Sequence, residues 1–420
     1  MARRFLILVL LLLGCVDLLG GVDLGLYFSG QGLLTILYAI AAMGLLLGSG
    51  KISTTGLKVV WPFIALVTWA LTTMFWYTPS INGIQNVLCL TSFIGLALLA
   101  TGMSETWEIQ ASIEMFFRYG IWCAAAAYAW CLWTDGFGTE RTIGPRSFGI
   151  VALFGVAWYA SRWRFGKPRA LVLTALLLLE IGASLSRVAL VTGLVMLTLG
   201  RVSATVKGWL WGLLSLGLAV AGFWWMFNSI DPLRDHFLLG DARLRVGDVA
   251  INVSGRSAIW RVTYDSFLDS PWVGKGAGSA SHLVLERFRT IGHPHNDYLR
   301  VMHDYGIVGL SLWLLAWLRV LWHLWAQARF SEKWGRADAQ LQFAAFLGTL
   351  GTCLMMITDN PMTYVFVMAP LGVMVGAATG AASAVRYTQA WESPPAEAVP
   401  LPCQPGSGRQ QRKRLEAIES

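Results

Sequence analysis

Residues 169–201 read RALVLTALLLLEIGASLSRVALVTGLVMLTLGR, and the way this stretch divides decides the fold. It is apolar almost throughout, yet Arg187 stands in its middle. As one helix it would run about 48 Å at 1.5 Å per residue, too long for a hydrocarbon core of about 30 Å. Two short helices meeting near Ser184-Leu185-Ser186-Arg187 fit better. The chain then dips into the membrane, turns at Ser186-Arg187, and returns. Both halves are short, so Arg187 lies recessed below the outer surface. Holding a guanidinium there costs on the order of a few kcal/mol unless it is paired or faces water. A salt bridge to Glu180 is one reading, although seven residues is a stretch within a straight helix. The other is a grip on an anion, for which a planar fork of donors suits phosphate.

The rest of the chain has the same character. Of 420 residues, 55% are hydrophobic and 13% charged, and the mean hydropathy is +0.56. Soluble domains carry about 25% charge. This deficit points to an all-α polytopic membrane protein. About twelve apolar segments are expected, with cores at 5–20, 26–48, 59–78, 82–102, 115–133, 147–161, 169–185, 187–200, 208–227, 306–325, 341–358 and 362–384. The N-terminal Arg3-Arg4 and following apolar run, with Leu12-Leu13-Gly14-Cys15, loosely resemble a signal sequence. An uncleaved first span is the simpler reading.

Basic residues orient this count. With the N-terminus inside, the even-numbered connections hold Lys51 and Lys58; Arg162, Arg164, Lys167 and Arg169; Arg201 and Lys207; and Arg329, Lys333 and Arg336. The connection with Glu105 and Glu108 is the weak one, and the tail adds Arg386, Arg412, Lys413 and Arg414. The net charge of +8 therefore reflects topology and implies no nucleic acid. Both termini fall in the cytoplasm. Four parts are expected: nine helices over 1–227, an outer loop over 228–305, three helices over 306–385, and a basic, Pro- and Gly-rich disordered tail over 386–420. Its basic cluster could touch anionic lipid. The cysteines lie in apolar segments or the tail and show no disulfide or zinc spacing.

The outer loop concentrates the polar chemistry. A helix with an apolar side is expected from Ile259 to Leu268, capped by Ser254 or Ser257 and stopped by Pro271. Gly274-Lys275-Gly276-Ala277-Gly278 lacks a full phosphate-loop pattern and reads as a turn that lets loop and helices pack. His293 to Asp304 is expected to be helical and to run into the next span. Arg256, Arg141 and Arg146 are either solvated arginines or further anion donors. His295, in His-Pro-His-Asn, suits proton transfer or anion binding. His293 and His303 at spacings of two and eight are weak metal spacing, and solvated histidines are the plain alternative.

Taken in order, Ser186-Arg187, Gly255-Arg256 with Trp260, Pro271-Trp272-Val273-Gly274-Lys275-Gly276, His295-Asn296-Asp297-Tyr298-Leu299 and Asp304-Tyr305-Gly306-Ile307-Val308-Gly309 resemble the O-antigen ligase and Wzy-type polymerase superfamily. The likeness covers about residues 140–325. It implies a GT-C-like membrane glycosyltransferase that needs no metal or other cofactor and works at the periplasmic face of a bacterial inner membrane. The implied donor is a glycan on undecaprenyl diphosphate. The acceptor is the lipid A core in a ligase, or another lipid-linked repeat unit in a polymerase. Arg187 and Arg256 match the family's diphosphate-binding arginines, and His295 its loop histidine, as base or diphosphate ligand. Arg141 or Arg146 loosely matches a further basic residue; Asn296 and His303 complete the substrate-binding candidates. The Asp297-Tyr298 form of the motif does not separate ligases from polymerases. A polysaccharide transporter would also have twelve spans, but no inverted repeat is visible. A non-enzymatic assembly partner would have no use for the Arg/Arg/His set.

Overall fold

The computed structural model describes residues 1–11, 30–49, 52–77, 80–103, 107–139, 144–201, scattered positions from 210 to 229, 244–246, 249–251, 256–289, 291–336 and 338–392. Met1–Ala382 form one compact unit. Ser383–Ser420 cluster separately, and their described part is helical. Most of the expected apolar segments coincide with described helices, while the helix expected from 306 starts at Asp297. In chain order the helices are α1 (Ala2–Leu11), α2 (Gly30–Ser49), α3 (Thr54–Thr73), α4 (Ile81–Met103), α5 (Trp107–Asp135), α6 (Pro145–Arg164), α7 (Arg169–Ala183) and α8 (Arg187–Arg201). The segment expected as a loop over 228–305 itself contains α9 (Arg256–Phe267), α10 (Ser279–Phe288) and the start of α11 (Asp297–Lys333), and α12 (Ala339–Met355) and α13 (Val365–Glu392) follow. Among the described residues, the sole departure from helix and turn is a two-stranded antiparallel ladder. In it β1 (Leu244–Val246) pairs with β2 (Val249–Ile251), a feature the all-helical reading did not include.

Four described helices, α2, α3, α4 and α11, are long and apolar enough to cross a membrane, and α8, α12 and α13 contain shorter apolar stretches. The protein is thus an integral membrane protein by its helices. The expected ninth segment lies mostly outside the described residues, as do Ser254, Gly255 and most of the tail. Trp317 joins α3 to α11 by an edge-on contact with Phe63 (4.9 Å between centroids), and Phe63 meets Phe93 of α4 at 5.0 Å. Small residues bring helices close elsewhere: a Cβ at Gly149 of α6 would press on Ala189 and Ser186.

The break in 169–201 is real. α7 ends at Ala183, Leu185 takes a left-handed φ of 60°, and α8 begins at Arg187. Contacts at both ends verify the reversal. At one end Arg164, closing α6, donates to Glu332 of α11 from Nε and Nη2 (3.0 Å each) and to the Gly200 carbonyl of α8 (3.3 Å). Its guanidinium also lies 4.6 Å from the Phe343 ring centre of α12. At the other end the Gly138 N–H, beyond α5, donates to the Ala183 carbonyl of α7 (3.2 Å). The α7–α8 hairpin therefore puts residues 184–187 beside the start of α6.

α11 carries the loop into the bundle through a break. Gly306 (φ 70°, ψ −170°) interrupts it, which frees backbone groups on both sides. Residues 271–276 take them up. Lys275 and Gly276 donate to the His303 and Asp304 carbonyls (3.0 and 2.8 Å). Ile307 and Val308 donate to the Pro271 and Trp272 carbonyls (2.8 and 3.3 Å), and Trp69 Nε1 donates to the Tyr305 carbonyl (3.0 Å). The buried Asp304 carboxylate accepts from Gly278 N (2.9 Å), Ala280 N (2.7 Å) and Ser279 Oγ (2.9 Å), so it caps α10 from another helix. The glycine turn packs loop against helix, as its sequence suggested.

Replacing Gly306 tests this joint. An added Cβ would run into the Trp272 carbonyl on a backbone that side chains rarely adopt. Gly306→Ala should destabilise the protein by about 2 kcal/mol or more. Thermal unfolding in lipid nanodiscs checks this against Gly48→Ala, which has open space around it.

Candidate active site

The site begins with a short, tightly held segment. Asn296 is the N-cap of α11, its Oδ1 accepting from Leu299 N (2.9 Å). Asp297, fully buried, accepts from Met362 N on Oδ2 (2.8 Å), and its own N–H donates to the Met356 carbonyl (2.9 Å). Tyr298 donates to the Cys353 carbonyl (3.0 Å). Asp297 and Tyr298 thus tie α11 to α12 and the turn after it. On the near side, Trp260 Nε1 of α9 donates to the Pro294 carbonyl (2.9 Å). His295 is pinned between these anchors with a left-handed φ of 51°, rare for a residue other than glycine. The helix expected from His293 starts instead at Asp297, because Asn296 caps it.

The imidazole of His295, 20% exposed, meets Asp359 and Asn360, which follow α12. Its Nδ1 lies 3.1 Å from Asn360 Nδ2 and 3.8 Å from Asp359 Oδ1. The second distance exceeds a hydrogen bond, so the carboxylate acts there mainly through its charge. Asn360 Oδ1 in turn accepts from Nη2 of the buried Arg300 (3.0 Å). Burial pushes the Asp359 carboxyl up, but His295, the Asn360 N–H and the charge of Arg146 together hold it below the usual carboxylate range.

Three predicted arginines converge here from three helices. Arg187 opens α8, Arg256 opens α9, and Arg146 is the second residue of α6. A cation at a helix N-terminus sits against the positive end of the dipole, so this placement works against stability. Burial first, then the charges of Arg146 and Arg187, lower Arg256 to about 10, against the opposing effect of Asp359 and Tyr364. Guanidinium is scarcely ever deprotonated in proteins. The shift therefore measures how strongly the surroundings of Arg256 favour an arriving negative charge. Donors beside helix N-termini are what a phosphate group needs.

Other candidates fall elsewhere. Arg141 lies outside the described residues. Asn296 uses its side-chain carbonyl for the cap rather than offering it to a substrate. His303 is 1% exposed and joins Ser279 to Ser266 (3.1 Å each), so it has no surface for a substrate and instead ties α9 and α10 to α11. Among the described residues no three His, Cys, Asp or Glu side chains gather as a metal ion requires. Asp359, Asn360 and Arg300 were not anticipated. The available signal was Thr358-Asp359-Asn360-Pro361, polar residues in a connection that the charge pattern puts on the same side as the loop.

Comparison with known proteins bears on the same stretch. Residues 169–314 match the Wzy_C family model, described as O-antigen ligase. The chain is also 24% identical over 279 residues to the O-antigen ligase of Pseudomonas aeruginosa, a match that spans 62% of this chain and 63% of that relative's length. Both matches support the resemblance to the O-antigen ligase and Wzy_C superfamily.

His293 gives the site a pH signature. Its Nδ1 lies 3.2 Å from Ser281 Oγ; burial, then the charge of Arg300, push the imidazole down to about 3. A histidine whose folded pKa is depressed takes up its proton first in the unfolded chain. Its contribution is intact above the ordinary value near 6.5 and is lost as pH falls toward the folded value. The thermal midpoint of the wild type should fall between pH 7 and pH 5, and His293→Gln should shrink that fall.

Proposed function

We propose that this protein is an O-antigen ligase-type glycosyltransferase, which moves a glycan en bloc from undecaprenyl diphosphate to a sugar hydroxyl of the lipid A core. The reaction takes place at the periplasmic face of the inner membrane. This reading is supported by the charges of Arg146 and Arg187 acting on Arg256, and by Arg146 and Arg256 lying within electrostatic reach of Asp359 beside His295. In the reaction, the acceptor oxygen forms a bond to the anomeric carbon while the bond from that carbon to the diphosphate oxygen breaks. Negative charge grows on the departing diphosphate, and fixed guanidinium donors stabilise it more than they stabilise the substrate. They supply the positive charge that a metal ion supplies in other phosphate sites. His295 stands where an imidazole can serve either the acceptor hydroxyl or a diphosphate oxygen. The prenyl chain of the donor calls for a lipid-facing groove. The family likeness, with its O-antigen ligase relative, favours the lipid A core as acceptor.

The purified protein in lipid should move glycan from undecaprenyl diphosphate to added lipid A core, and a chelator should not slow it. A ladder of longer lipid-linked products without core would mean a polymerase. Silence with both acceptors would overturn the reading. Arg187→Ala, Arg256→Ala and His295→Ala should each lower transfer at least about a hundredfold while the protein remains folded and inserted.

A further inference from the structure

The pairing of His295 Nδ1 with an amide nitrogen has a chemical direction that follows from Arg300. A guanidinium has donors and no acceptor. The Asn360 atom 3.0 Å from Arg300 Nη2 must therefore be the carbonyl Oδ1. The other end of the same amide, Nδ2, then faces His295 Nδ1 at 3.1 Å. An NH2 group also only donates, so Nδ1 must receive that bond on a lone pair. In a neutral imidazole the one ring proton is then on Nε2. We propose that Asn360, oriented by the buried Arg300, fixes His295 in the Nε2–H tautomer. His295 then meets the substrate as a hydrogen-bond donor rather than as a base.

Neighbouring groups divide over this tautomer. Asp359 Oδ1, 3.8 Å from Nδ1, would draw a proton onto that nitrogen. Asn360 is the nearer partner, and its orientation cannot reverse without turning an NH2 toward Arg300. Arg300 is itself fully buried, with Asp297 Oδ1 3.4 Å from its Nη1. His293, whose ring burial keeps neutral, adds no positive charge beside the imidazole.

The consequence deepens the proposed transfer reaction and rests on that reading. With Nε2 protonated, His295 donates to an oxygen of the departing diphosphate, alongside the arginines. The proton of the acceptor hydroxyl must go elsewhere. The departing diphosphate is itself a base, since a terminal phosphate takes its last proton with a pKa near 6. One proton leaves the hydroxyl and one joins the diphosphate, so the step balances without a protein base. Asn360 is on this account a positioning residue, acting through His295.

The test is the ¹⁵N spectrum of the histidine rings in labelled protein in nanodiscs, at a pH where the ring is neutral. The His295 signals are identified by their loss in His295→Gln. The wild type should show Nδ1 bare and Nε2 protonated. Asn360→Asp offers Nδ1 an acceptor and should invert the pair. Asn360→Ala removes the Nδ2 donor and should let the ring proton move toward Nδ1, where Asp359 draws it. A wild-type Nδ1 that carries the proton would overturn the proposal, even if the Asn360→Asp variant fails to fold. In transfer assays, Asn360→Asp should lose about a hundredfold, as when one donor to a developing oxyanion is removed. The spectrum does not depend on glycan transfer. The expected tautomer in a protein that transfers nothing would refute the enzymatic reading and leave the assignment of the ring proton standing.

Discussion

Backbone groups at the edge of a membrane must find partners, and this constraint organises the molecule around the break in α11. At Gly306 the helix loses its own hydrogen bonds on both sides. The loop residues 271–276 replace them with backbone donors and acceptors of their own, and Trp69 adds an indole N–H from α3. A loop that completes a helix in this way is part of the helical scaffold. The capped α10, the bridge of His303 between α9 and α10, and the anchoring of Pro294 by Trp260 all follow from it. Reactive groups carried on a polar loop thereby acquire fixed positions.

The two ends of the α6–α8 region are built on opposite electrostatic logic. At one end Arg164 is satisfied by a bidentate carboxylate, a carbonyl and an aromatic face. That is a closed arrangement, and it holds four helices together. At the other end arginines sit at helix starts, where the dipoles oppose them, and Arg256 is further disfavoured by burial and by its cationic neighbours. Such a concentration works against folding, and its natural complement is a polyanion that arrives from outside.

Much of this was legible in the sequence because the signals are local or follow from membrane geometry. The break before Arg187 follows from segment length. The glycine turn follows from residue type. Arg187, Arg256, Arg146 and His295 were singled out by the order of motifs, and in the structure the charges of Arg146 and Arg187 act on Arg256. What stayed hidden depends on contacts across long separations. Asn360 meets His295 across 65 residues, and Arg300 reaches Asn360 across 60. Nothing near His295 in the chain announces either partner. For Asn296 and His303 the polarity was plain, but the sequence does not show that Asn296 Oδ1 caps α11 or that His303 is buried at a helix junction. The β1–β2 ladder is only three residues per strand and left no clear alternation in the sequence.

The left-handed backbone of His295 has a cost that bears on how this protein can change. A glycine at that position would relax the backbone and ease folding, yet it would remove the imidazole. If His295 takes part in the proposed transfer, selection for stability and selection for chemistry pull in opposite directions at one residue. A lineage that lost that activity would then be expected to drift toward glycine or asparagine there.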